Sequence, residues 1–222
     1  MRRFLIPLFG IAAAAALAAC HDAGISQCFE SNATEYPVHL PGDTTVVFRW
    51  PDAYRPVRIY VEPVDSLQAN AQRGMQLWMN GVHCGELSLQ LWPDSATADV
   101  VVRNPPFLPP PPVSGGIMRV SGDSVGACGG RTDVFLDSAR TTLLRPIRSY
   151  IVPIGIDTAA TAACYHFVTA HELGHSLGLF SHSSNPVDLM NTNPRHTALS
   201  INDLYTIELL YHFDAPVKPS PR

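Results

Sequence analysis

The stretch Thr169–Met190, TAHELGHSLGLFSHSSNPVDLM, constrains this chain more than any other. His171 and His175 stand four residues apart, so on a helix they project from one face. Two imidazoles at that spacing can grip one small cation. Glu172 lies beside them, displaced around the helix but within reach of a water on that cation. Gly174 and Gly178 are poor helix residues, and Gly178 is well placed to end the helix because glycine tolerates the left-handed conformation that reverses a chain. After that turn His182 can swing back to the same point. Zinc suits such nitrogen ligands in a tetrahedral array and leaves one position for water when the protein supplies three. The candidate metal ligands are therefore His171, His175 and His182, holding one zinc ion, and the candidate catalytic base is Glu172. An isolated H-E-x-x-H can also be a pair of hydrogen-bonded core histidines. The glycine turn, third histidine and downstream methionine that follow make the metal site the expected reading.

The setting is an exported one. Arg2 and Arg3 precede an apolar, Ala-rich stretch from Phe4 to Ala19, the layout of a secretory signal peptide. It ends in Leu17-Ala18-Ala19-Cys20, which resembles the lipobox of bacterial lipoproteins. The resemblance implies cleavage before Cys20, its lipidation, and a domain tethered to the bacterial cell envelope through the acyl chains. The alternative is an ordinary cleaved signal and a secreted protein. Setting Cys20 aside leaves Cys28, Cys84, Cys128 and Cys164, an even number in an oxidising compartment. Three pairings are open; Cys28–Cys84 with Cys128–Cys164 is the one chosen. A cysteine metal site is the competing reading, but no two of these residues have the close spacing it needs.

A net charge of −4 with no clustered Lys or Arg excludes a nucleic-acid surface. Residues 1–19 are read as the signal, 20–40 as a lipid-anchored tether, 41–213 as one domain and 214–222 as a disordered, Pro-rich tail. Within the domain, Thr44–Trp50, Val57–Glu62, Leu87–Trp92, Ala98–Arg103, Gly116–Val120 and Thr132–Asp137 read as strands. Gly122, Gly126, Gly129 and Gly130 mark turns. Leu67, Ala71, Met75 and Trp78 recur at helical spacing after a cap at Asp65 or Ser66. A second helix is expected over about Ala159–Leu179. A third runs over Ser200–Tyr211, where Ser200 and Asp203 have capping-box spacing. Six prolines between Pro105 and Pro112 dictate an extended loop.

Together these motifs resemble the metzincin metallopeptidases, above all matrixin-like bacterial members, whose signature is H-E-x-x-H-x-x-G-x-x-H followed by a Met-turn. His171, Glu172, His175 and Gly178 match position by position, and Met190 matches the Met-turn, which in that family floors the zinc. The spacing departs at one point: Ser181 occupies the third-ligand position and His182 comes one residue later. The ligand role passes to His182 if the turn after Gly178 absorbs one residue. The resemblance implies an α+β catalytic domain. It would have a twisted mixed sheet of about five strands, a long N-terminal helix, an active-site helix and a C-terminal helix after the Met-turn. Calcium is common in that family, but no acidic cluster here is strong enough to place it.

The activity this implies is that of a zinc-dependent endopeptidase, with Glu172 as general base toward a metal-activated water. The substrate would be a peptide or protein lying extended along an edge strand, for which Gly116–Val120 is the candidate. The enzyme is expected to act as a monomer. Two other classes stay open: a surface-tethered, zinc-containing binding module without catalysis, and a structural envelope lipoprotein with a fortuitous motif.

Overall fold

A computed structural model describes residues 34–64, 66–82, 85–110, 117–119, 123–125, 128–153, 158–212 and 214–222. The signal sequence, Cys20, Cys28, Cys84 and Asp65 lie outside the described residues, as do the side chains of Cys128 and Cys164. So do Gly116, Val120, Gly122 and Gly126.

Among the described residues, eight strands and three α-helices follow in the order β1 (Val57–Val61), α1 (Leu67–Gly81), β2 (Leu89–Leu91), β3 (Val100–Arg103), β4 (Ile117–Arg119), β5 (Asp123–Val125), β6 (Cys128–Leu136), β7 (Thr142–Pro153), α2 (Thr158–Ser176), α3 (Ile201–His212) and β8 (Lys218–Pro219), with a 3-10 turn at Asp52–Tyr54 before β1. One mixed sheet has the order β2-β1-β3-β7-β6-β4, with β5 also on β6 and β8 on β7. β1 pairs in parallel with β2 and β3, and β3 with β7. β6 runs antiparallel to β7, β4 and β5. A parallel β1–β2 pair needs a crossover between its strands, and α1 supplies it. β1 alternates, with Val57, Ile59 and Val61 buried, whereas Val100, Val101 and Val102 of β3 are all buried, as for a strand covered on both faces. The sheet holds eight strands among the described residues, where the resemblance implies about five.

α1 forms where the 3.6-residue period expects it, burying Leu67, Ala71, Met75 and Trp78. Its Trp78 indole donates to the Ala170 carbonyl at 2.8 Å, and the Trp50 indole donates to the Ser176 carbonyl at 2.9 Å. Two buried aromatics thus fix α2, the helix that carries the H-E-x-x-H sequence. No helix among the described residues is long and apolar enough to cross a membrane.

Several expectations need correction. Thr44–Trp50 is not a strand. Its only ladder contacts are isolated, such as the Phe48–Val217 bridge, yet Val46, Phe48 and Trp50 are buried alternately. The alternation is satisfied by packing: Phe48 meets Trp50 edge-on at 5.0 Å and stacks near Phe180 at 6.2 Å. Gly129 and Gly130 lie inside β6 rather than in a turn. β7 was not anticipated. α2 stops at Ser176 instead of reaching Leu179. Within the segment read as a tether, Tyr36, Val38 and Leu40 are buried.

Residues 214–222 are not a disordered tail. Lys218 N donates to Thr141 O and Ser220 N to Leu143 O, so the ladder with β7 uses the N–H groups on either side of Pro219. Beyond it, Arg222 joins Arg145 on the buried Asp99 carboxylate, each at 2.7 Å.

Candidate metal centre

Helical geometry brings His171 and His175 one turn apart, both fully buried. His171 Nδ1 lies 2.7 Å from Leu189 O, and His175 Nδ1 lies 2.5 Å from Leu179 O. A carbonyl can only accept, so each Nδ1 carries a hydrogen, and in the neutral ring the bare lone pair is then on Nε2. Those Nε2 atoms are 3.0 Å apart, and His182 Nε2 stands 3.2 Å from that of His175. Two bare lone pairs at this range repel unless a proton or a metal cation lies between them. A tetrahedral zinc with Zn–N of about 2.05 Å sets its nitrogens about 3.3 Å apart, close to what the rings already show. Among the described residues, the histidine, cysteine and carboxylate ligand atoms gathered within 4.8 Å of one another are those of His171, His175 and His182. The donor set, the spacing and the locked tautomers fit zinc.

The turn after α2 explains why His182 rather than Ser181 joins the cluster. Gly178 has φ +110°, and a Cβ there would fall 2.1 Å from Phe48 O, so only glycine fits. The chain then lies against the N-terminal segment: Phe180 N donates to Val38 O at 3.4 Å and Ser181 Oγ to His39 O at 2.7 Å. Ser181 is turned to that neighbour, and His182, partly buried, faces the other two imidazoles. The one-residue offset is absorbed in the turn.

Glu172 is fully buried, and its Oε2 accepts a 2.6 Å hydrogen bond from Thr132 Oγ1 on β6. Met190 is also fully buried, beneath α2. A Cβ on Gly174 would meet its sulfur at 2.5 Å and Trp78 at 2.7 Å, so the missing side chain at 174 is what lets both pack there.

The loop from His182 to Met190 is closed on itself. Ser183 N donates to Met190 O at 2.9 Å, Ser183 Oγ to Asp188 Oδ2 at 2.5 Å, and Asn191 Nδ2 to Ser183 O at 3.0 Å. Asp203 anchors this loop to α3. It forms the expected capping box with Ser200 and also accepts from Leu189 N at 2.7 Å, Met190 N at 3.3 Å and the Tyr36 hydroxyl at 2.9 Å. Leu189 is thereby held by its N–H while its carbonyl holds His171. Burial, and then the Asp203 charge, push the Tyr36 hydroxyl well above its ordinary pKa. Sequence reasoning found Asp203 only as a cap and missed Tyr36, Thr132 and the two carbonyl acceptors. A backbone carbonyl carries no sequence signal.

The remaining described histidines lie elsewhere. His166 Nδ1 contacts Asn70 Oδ1 at 3.3 Å, His212 Nε2 contacts Glu86 Oε1 at 2.8 Å, and His39 Nδ1 bonds Leu40 O at 3.1 Å. β4, in the segment expected to be an edge, ends the described path of the sheet beyond β6.

Comparison with known proteins bears on this geometry. No curated protein matches the chain. Residues 118–212, a little under half of it, match the Matrixin family model (Peptidase_M10). That stretch holds the three histidines, Glu172 and Met190. The matched stretch is thus similar to that family, and the three-histidine cluster lies within it.

Proposed function

We propose that the chain is a zinc-dependent endopeptidase in which His171, His175 and His182 hold one zinc ion and Glu172 is the general base. The observation that carries this reading is the convergence of three Nε2 atoms, two of them on rings held by carbonyls, with the buried carboxyl residue Glu172 next in the helix after His171. Zinc held there supplies Lewis-acid polarisation of the scissile carbonyl and a bound water with a pKa near about 7. Glu172 takes the proton of the attacking water. It returns that proton to the leaving nitrogen as the C–N bond breaks, so one carboxyl serves as base and then as acid. Met190 and Trp78 form an apolar floor under α2, which holds the two helical imidazoles in register. The peptide lies extended, adding main-chain hydrogen bonds at the β4 edge of the sheet. The domain works outside the cytoplasm, tethered to the bacterial envelope through lipidated Cys20.

The test replaces Glu172 with Gln in the full chain. Zinc content is expected to stay at that of the unaltered protein while cleavage of a fluorogenic peptide library is lost. Cleavage at the unaltered rate would overturn the role of Glu172. A zinc-loaded, unaltered protein that cleaves nothing would favour a binding module instead.

A further inference from the structure

Thr132 and Ser149 face each other across the β6–β7 pair, and Ser176 closes the last turn of α2 above them. All three hydroxyls are fully buried, as is Glu172. Four close contacts link them in a circuit served by three hydroxyl hydrogens, so Ser149 donates to one of its two neighbours. Thr132 Oγ1 donates to Glu172 Oε2 at 2.6 Å and lies 2.9 Å from Ser149 Oγ. Ser149 Oγ lies 2.9 Å from Ser176 Oγ, and Ser176 Oγ donates to the main-chain oxygen of Glu172 at 3.0 Å. The circuit leaves the Glu172 side chain and returns to its own backbone. Buried polar groups persist where such partners offset their lost hydration.

Two residues toward the strand's start, on the same face of β6, Gly130 makes the complementary provision. A Cβ there would fall 2.2 Å from Glu172 Oε1 and 2.9 Å from Cδ. The strand therefore offers a hydroxyl at 132 and an empty place at 130, and the carboxylate lies between them. Glu172 has three rotatable bonds, and a base must be held within hydrogen-bond reach of the proton it takes. A link between sheet and helix alone would need only Ser149 and Ser176. The shortest contact in the ring instead grips a carboxylate oxygen.

We infer that Thr132 is a positioning residue that fixes the carboxylate of Glu172 through this hydroxyl ring; the inference rests on the proposed peptidase reading. The experiment compares Thr132→Val, which keeps the shape and removes the hydroxyl, with Thr132→Ser, which restores it. Crystal structures of both variants read the Glu172 conformation directly. Steady-state kinetics and zinc analysis of the full-length, zinc-loaded proteins read the consequence.

A hydrogen bond to a charged group is equivalent to about tenfold to 100-fold in a rate that depends on it. In Thr132→Val the carboxylate is expected to rotate off its present site and kcat to fall by about tenfold or more, with KM within about twofold. Zinc content is expected to hold. In Thr132→Ser both position and kcat are expected to return. An unmoved carboxylate in Thr132→Val overturns the inference, as does Thr132→Ser failing alongside Thr132→Val. If the unaltered protein proves inactive, the peptidase reading falls, and the carboxylate position in the two crystal structures still decides what Thr132 does.

Discussion

Replacing Asp203 with Asn should loosen the metal site from a distance. The carboxylate accepts from Leu189 N, Met190 N, Ser200 N and the Tyr36 hydroxyl, at 2.7 to 3.3 Å. Asparagine keeps the shape but turns one acceptor oxygen into a donor that meets other donors, so about two of these bonds are lost. Hydrogen bonds to a charged group contribute roughly 1.5–3 kcal/mol each, and removing a fully buried charge returns part of that. The net expected loss is about 2–4 kcal/mol, or a melting point lower by about 5–15 °C in a domain of this size. A second effect is specific to the site. Leu189 donates to Asp203 and accepts from His171, so slack in the loop reaches a ligand ring. Loss of such a supporting contact typically weakens metal binding by about 10–100-fold. Calorimetric melting with and without zinc, and zinc titration against a competing chelator, measure the two effects. A melting point within a degree or so of the unaltered protein, with unchanged zinc affinity, would refute the reasoning.

Two further outcomes follow from other parts of the structure. His182→Ala should lower zinc affinity by well over tenfold while Ser181→Ala leaves it unchanged, since Ser181 bonds His39 O and His182 faces the cluster; equal effects would put the register in error. Hydrogen bonds from Thr45, then from Arg140, hold the Asp43 carboxyl down from its ordinary 3.8 to about 2. A depressed carboxylate stabilises the fold above its unfolded pKa and loses that contribution as pH falls toward the folded value. Asp43→Asn should therefore melt below the unaltered protein at pH 6, with the gap closing between about pH 4 and pH 2. A gap independent of pH in melting curves would contradict the assignment.

The site was more legible in the sequence than the sheet around it. Ligand spacing on a helix and a glycine turn are local patterns, and His171, Glu172, His175 and Gly178 carry them in eight residues. What fixes the ligands leaves little trace in the side-chain pattern. The acceptors are main-chain carbonyls at Leu179 and Leu189, and the support runs through Asp203 to Tyr36, 167 positions away. β7 was hidden because Arg145, Pro146, Arg148 and Ser149 break the apolar run. Their partners come from elsewhere: Arg145 pairs with Asp99, Arg148 lies 5.0 Å over Phe135, and Ser149 meets Thr132. Gly129 and Gly130 suggested a turn because glycine is costly in a strand. At Gly130 that cost is offset by room for the carboxylate of Glu172. The C-terminal prolines likewise suggested disorder, while the residues between them carry the hydrogen bonds to β7.

The coordination of zinc in the metal-loaded protein tests the central claim most directly. X-ray absorption at the zinc edge should give one zinc per chain bound by three imidazole nitrogens at about 2.0–2.1 Å and one further light atom, with no sulfur. Sulfur in the first coordination sphere, fewer than three imidazoles, or failure of the protein to hold zinc would contradict the account.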